Sequence, residues 1–235
     1  MNNAFSITPL NESAALVSFG NVIDESVNEK VISLHRLLDS NHFRGFVESA
    51  PAYSSLAVFY NSIEVIQGNT DIKSAFDFVR EYLENALDHL PQRVVLAEDR
   101  IIEVPVLYHG EDLEWVADLH QLTIEEVIAI HASKIYRVFM IGFLPGFPYM
   151  GTLDARIATP RKISPRTTVP PGSVGIAGFQ TGIYPQPSPG GWQLIGRTPI
   201  KIFDNLKPVP CMFKPGDRVQ FYAVDQYEFE KLDEY

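Results

Sequence analysis

The feature that most constrains this chain is the stretch from Gly142 to Pro199. It holds ten of the 15 glycines and ten of the 17 prolines. Glycine permits positive φ and proline locks φ, so a segment rich in both prescribes backbone shape rather than long helices. The same stretch carries Arg156, Arg161, Lys162, Arg166 and Arg197 against a single acidic residue, Asp154, in a chain whose net charge is -10. Arginines interleaved with aromatics on a shaped backbone point to a binding surface for an anion, or for a ligand with an anionic part.

The acidic balance, with a pI near 5.0, argues against non-specific binding to nucleic acid or to a membrane surface. The lone cysteine, Cys211, cannot form an internal disulfide, which fits a reducing compartment. The opening MNNAFSITPLNESAAL lacks the basic and apolar regions of a signal peptide, and no apolar run reaches the length of a membrane span. The expectation is a cytoplasmic protein.

Up to about residue 98 the pattern predicts an α+β unit. Residues 14–19, 44–50 and 55–60 read as strands, with a Pro51 turn between the last two. Val27, Val31, Leu34 and Leu38 recur at helical spacing, as do Ile72, Phe76, Val79, Leu83 and Leu87 before Pro91. Two helices over about five strands imply a two-layer sandwich, residues 1–98. His35, His42 and His89 have no partners at metal-ligand spacing and read as surface or packing residues. The polar Ala97–Arg100 marks a joint, and residues 99–235 form a second domain. There Thr123 and Glu126 make a capping box opening a helix. After His131 many short strands with Gly/Pro punctuation predict a barrel or sandwich.

Four segments in this second domain carry the candidate chemistry: Gly142–Tyr149, Pro160–Arg166, Gly172–Gly182 and Ser188–Thr198. Their glycines serve either tight turns or exposed N–H groups that cradle an anion. Their spacing is neither a P-loop nor a dinucleotide fingerprint. Arg161, Arg166 and Arg197 are candidate ligands for a carboxylate or phosphate, although Arg161 and Arg166 also fit a solvated pair. Phe147, Tyr149, Tyr184 and Trp192 are candidate walls, and Gln180 and His131 candidate hydrogen-bonding groups. No Ser-His-Asp set and no metal-ligand cluster is visible. A site that binds anions but is poor in acid–base groups suits a binding module, or half of an active site completed by a partner.

The segments GFLPGFPYMG, TPRKISPR, VPPGSVGIAGFQTGIYPQPSPGGWQLIGRTP and FKPGDRVQF resemble the family of 5-oxoprolinase B subunits. That family includes the kinase inhibitor KipI and was long labelled allophanate hydrolase subunit 1. The resemblance runs from about Ile101 to Tyr222; before residue 100 only the layout agrees. It implies an α+β domain followed by a cyclophilin-like β-barrel. It also implies two partners, the C and A subunits of 5-oxoprolinase, with which the set hydrolyses 5-oxoproline to glutamate at the expense of ATP. On this resemblance His131, Arg161, Arg166 and Arg197 would form the catalytic set, inactive without the partners. Phe147, Tyr149, Gln180, Tyr184 and Trp192 would hold the substrate. The KipI branch implies instead docking on a sensor histidine kinase through the Phe143–Tyr149 surface, and a third reading is a subunit for another small amide or urea-derived substrate. One departure stands out: Tyr108-His-Gly-Glu-Asp-Leu113 is shorter than the family's acidic loop and lacks its Gly-Pro.

Overall fold

A computed structural model describes residues 5–68, 72–90 and 101–233. The chain divides into two compact units, Met1–Ala97 and Glu98–Tyr235. The joint expected at Ala97–Arg100, and the helix stop expected at Pro91, lie outside the described residues.

In the first unit an antiparallel sheet of order β1-β2-β4-β3 is built from β1 (Ser6–Asn11), β2 (Ala14–Ser18), β3 (Phe46–Pro51) and β4 (Ser55–Tyr60). The described sheet has four strands where about five were expected. Alternation on β4 buries Leu56, Val58 and Tyr60, and β2 adds Ala15 and Val17. Onto this face pack α1 (Glu25–Ser40), through Val31, Leu34 and Leu38, and α3 (Ala75–Asp88), through Val79 and Leu83; the short α2 (Ser62–Gly68) contributes Val65. The helix starts are set by side chains. Asp24 accepts from the N–H of Val27 at 3.0 Å, and Ser74 from that of Asp77 at 3.1 Å. Strand β1 escaped the sequence pattern because it is mostly exposed and polar, with Pro9 at an edge where a missing N–H does no harm.

The second unit is the expected barrel. Seven strands run in the order β12-β9-β10-β7-β6-β13-β5. They are β5 (Ile101–Val106), β6 (Ile135–Ile141), β7 (Pro148–Gly151), β9 (Ser173–Ala177), β10 (Gln180–Ile183), β12 (Gln193–Arg197) and β13 (Arg218–Ala223). Among the described strands only the β13–β5 pair is parallel. The two edges meet where Leu107 and Arg197 exchange backbone hydrogen bonds of 2.9 and 3.0 Å, so the sheet is nearly closed. Val104, Val106, Val138, Met150, Val174, Ile176, Ile183, Ile195, Val219 and Phe221 fill the core. Helices α4 (Leu113–His120) and α5 (Ile124–Ala132) add Leu113, Val116, Val127 and Ile130 to it. The Thr123–Glu126 capping box is present in both directions, at 3.1 and 2.8 Å. A small ribbon of β8 (Arg166–Val169) and β11 (Ser188–Gly190) stands apart from the main sheet, and α6 (Gln226–Asp233) ends the described chain. The whole is α+β, a two-layer sandwich in the first unit and a cyclophilin-like barrel in the second.

Candidate functional site

Phe147 is the hub of the candidate site. The preceding turn is held by backbone bonds from Leu144 N–H to Gly142 O (2.7 Å), Phe147 N–H to Leu144 O (3.0 Å) and Gly142 N–H to Phe147 O (3.1 Å). Gly146 takes φ +81°, and a Cβ there would lie 2.7 Å from the Cβ of Phe203, so only glycine fits. The turn drives Phe147 into the protein. Its ring meets Tyr149, Tyr184 and Trp192 edge-on, at centroid distances of 4.8, 5.2 and 5.4 Å. These perpendicular contacts fix the rings against one another. They wall a cleft of about 360 Å³, completed by Leu144, Pro165, Ser188 and the Pro189–Gly191 backbone, with Phe143 on it at φ 66° and 61% exposed.

The guanidinium of Arg161 lies 5.8 Å from the Trp192 ring centroid and lines this cleft. Among the described residues it has no carboxylate partner. Burial pushes the Tyr149 phenol upward, and the charge of Arg161 partly offsets this, a sign of their proximity.

Arg166 is differently employed. Its Nη2 donates to Asp112 Oδ2 at 2.5 Å, its Nε to Glu111 Oε2 at 3.1 Å and its Nη1 to the Trp192 carbonyl at 3.3 Å. Asp112 is buried and also accepts from Lys162 Nζ at 2.8 Å and from the Leu194 N–H at 2.7 Å. Burial alone would raise the Asp112 pKa. The Lys162, Leu194 and Arg166 hydrogen bonds outweigh it and hold the carboxyl below its usual range. This cluster fastens the Lys162–Arg166 segment, and with it the cleft wall, to the start of α4. Neither Asp112 nor Glu111 was singled out from the sequence as a site residue. Their partners lie 50 or more positions away along the chain, and the only signal was the departure of the Tyr108–Leu113 loop from the family pattern.

The expected anion site of three arginines is therefore not assembled. Arg197 stands at the far end of β12, roughly 16 Å from Trp192 at about 3.3 Å per residue. It donates to the Pro171 carbonyl at 3.1 Å and lies over the Phe229 ring. It lines a second cleft of about 370 Å³ with Pro171, Pro185, Pro187, Lys201 and Asp233. Gln180 opens β10, roughly 13 Å along the strand from Tyr184. His131 is fully buried in the barrel and lines neither cleft. Its Nδ1 is 2.7 Å from the Tyr108 hydroxyl and its Nε2 2.9 Å from the Thr181 hydroxyl, and burial pushes its pKa down to about 3. A group so held stays neutral at physiological pH. Among the described residues no three His, Cys, Asp or Glu side chains are grouped to hold a metal ion, and no helix is long and apolar enough to cross a membrane.

Of the two glycines that line the cleft, Gly190 serves packing. A Cβ on Gly190 would lie 2.5 Å from the Tyr184 hydroxyl. Gly190→Ala is expected to cost about 1–2 kcal/mol and to displace the Tyr184 ring into the cleft. Thermal unfolding followed by tryptophan emission checks this, and an unchanged melting temperature would refute it.

The chain is similar to known proteins in sequence and in fold. Residues 5–213 match the family described as carboxyltransferase domain, subdomain C and D. The chain is 42% identical over 238 residues to the 5-oxoprolinase B subunit of Bacillus subtilis, covering 100% of this chain and 99% of that protein. Among solved structures, TTHA0988 is 35% identical with a TM-score of 0.77, over 90% of this chain; this chain spans only 40% of TTHA0988. The Pyrococcus horikoshii protein PH0987 is 40% identical with a TM-score of 0.55, over 95% of this chain and 100% of that one.

Proposed function

This chain belongs to the family of carboxyltransferase domains, subdomains C and D, alongside proteins named as the B subunit of 5-oxoprolinase, and we propose on that footing that it is itself the B subunit of an ATP-dependent 5-oxoprolinase. In this reading it works with the A and C subunits to open 5-oxo-L-proline to L-glutamate. The observation that carries it is the aromatic cleft with Arg161 at its wall and no carboxylate to neutralise that arginine among the described residues. 5-Oxoproline is a small flat lactam bearing one carboxylate. Phe147, Tyr149, Tyr184 and Trp192 suit its ring, and Arg161 suits its carboxylate. Arg166 then acts by holding the cleft wall through Asp112 rather than by meeting the ligand. We assign His131 a packing role and place Gln180 and Arg197 outside the substrate cleft.

ATP enters as a co-substrate of the assembled enzyme. Gly190 and Gly172 do not form an open phosphate cradle, since Gly190 abuts Tyr184 and Gly172 abuts the Thr198 carbonyl. Activating a lactam carbonyl and hydrolysing it also calls for proton transfer, and among the described residues no carboxylate or histidine lines the cleft to perform it. The partner proteins would supply these groups in the cytoplasm, where we place the complex.

Two measurements test this. The purified chain should give no ATP-dependent loss of 5-oxoproline, and addition of the A and C subunits should restore it. In a Trp115→Phe background, with Trp192 as reporter, Arg161→Ala should weaken 5-oxoproline binding about tenfold or more. Arg161→Lys should recover only part, because lysine lacks the planar fork. Unchanged affinity in both variants would remove Arg161 from the site. The exposed Phe143 favours a second reading, docking on a sensor histidine kinase. Inhibition of a kinase's autophosphorylation, lost in Phe143→Ser, would support that instead.

A further inference from the structure

Ser188 is the polar anomaly of the cleft. It lies on β11, paired opposite Val169, and only 6% of its surface is exposed. Its hydroxyl has no hydrogen-bond partner among the described residues, yet the residue lines the cleft. Around that wall the packed residues are Phe147, Val169, Tyr184, Trp192 and Leu194. Buried hydroxyls are nearly always satisfied, and serine usually satisfies itself on nearby backbone. Here the next residue is Pro189, which has no N–H to offer. The oxygen is itself closed to solvent, so an unpaired donor sits in the wall of the cleft with no protein group among the described residues and no bulk water to satisfy it.

We infer that Ser188 is the contact that reads the lactam group of the bound molecule: its O–H donates to the lactam carbonyl oxygen while Arg161 holds the carboxylate. The inference rests on the reading of the cleft as the 5-oxoproline site and adds to it a source of selectivity. An apolar pocket discriminates weakly between rings of similar shape. A pocket with a buried donor rejects a ring that leaves the donor unpaired far more strongly. The cleft should therefore prefer 5-oxo-L-proline to cyclopentanecarboxylate, which has the same ring size and carboxylate but neither carbonyl nor N–H in the ring.

The test titrates the full chain, as Trp115→Phe, with both compounds while following Trp192 emission, and repeats this for Ser188→Ala and Ser188→Cys. The native serine should favour 5-oxoproline by about tenfold or more. Ser188→Ala should bind cyclopentanecarboxylate as before and lose about tenfold for 5-oxoproline. Ser188→Cys, a weaker donor of similar size, should fall between. If Ser188→Ala keeps the native preference, or loses both compounds equally, Ser188 does not read the lactam, while the cleft assignment stands. If the protein with native Ser188 binds neither compound, the cleft assignment fails and the inference with it.

Discussion

Below about pH 6.5 the second unit should lose stability steadily, and His131→Gln should abolish most of that slope. The reason is that the buried imidazole is fully satisfied only when neutral. Thr181 Oγ1 is placed to donate to the Gly175 carbonyl at 3.3 Å, so it accepts from His131 Nε2–H, and Nδ1 is left to accept the Tyr108 O–H. Phe221 stacks on the ring at a centroid distance of 4.7 Å, and the Tyr136 ring lies at 5.3 Å. None of these groups carries a charge that would favour imidazolium. Burial takes the folded pKa down to about 3, whereas an unfolded histidine titrates near 6.5. The unfolded state therefore binds a proton the native state refuses. Stability is full above about pH 6.5, falls by up to about 1.4 kcal/mol per unit below it, and levels out near pH 3 after a loss of order 5 kcal/mol. Both tryptophans, Trp115 and Trp192, belong to this unit, so urea unfolding followed by their emission isolates it from the first unit. An acid slope of equal steepness in His131→Gln would rule the histidine out as its source.

The same residue shows where sequence reasoning runs out. His131 is one histidine next to a Gly/Pro-rich binding stretch, and its position in the sequence fits a satisfied structural group as well as a member of the catalytic set. Whether a histidine faces a cleft or a barrel interior depends on partners such as Thr181 and Phe221, 50 and 90 residues on. Spacing along one chain does not encode that. What was legible is what local chemistry dictates. The Thr123–Glu126 cap, the amphipathic stripes of α1 and α3, and the β-rich second unit all follow from short-range patterns. The aromatic cleft was half legible: Phe147, Tyr149, Tyr184 and Trp192 announced themselves as aromatics set among glycines and prolines, and they do converge. The arginines were less informative, because their sequence neighbours say nothing of which carboxylate each will meet. The barrel closure at Leu107 and Arg197 was not legible at all, being a pairing between segments 90 residues apart.

Asp112→Asn is expected to destabilise the second unit by about 3 kcal/mol and to weaken ligand binding in the cleft. The carboxylate, 6% exposed at its side chain, answers three donors at once: Lys162, Arg166 and the Leu194 N–H. Asparagine keeps the volume but removes the charge, and its amide nitrogen would face one of those donors. The guanidinium of Arg166 would then sit largely buried, with only Glu111, 69% exposed, as a charged partner. An uncompensated buried charge costs more than the intact pair contributes, which is why breaking such pairs typically costs about 3–5 kcal/mol. Replacing both partners should cost less. Asp112→Asn combined with Arg166→Met should recover part of the loss, because no orphaned guanidinium remains. The acid response gives an independent check. A carboxyl held below its ordinary pKa stabilises the fold above its unfolded value, near 3.8, and that contribution disappears as pH falls through the lower folded value. The Asp112 contribution is thus lost only in strong acid, below the range where His131 begins to act. In the variant the strong-acid component should be missing and the His131 slope kept. Strictly additive single and double variants, or an Asp112→Asn protein within about 0.5 kcal/mol of the native one, would mean that the cleft wall stands without this carboxylate. The Lys162–Arg166 segment would then have to be held by its backbone bond from Lys162 N–H to the Gly191 carbonyl, at 2.7 Å.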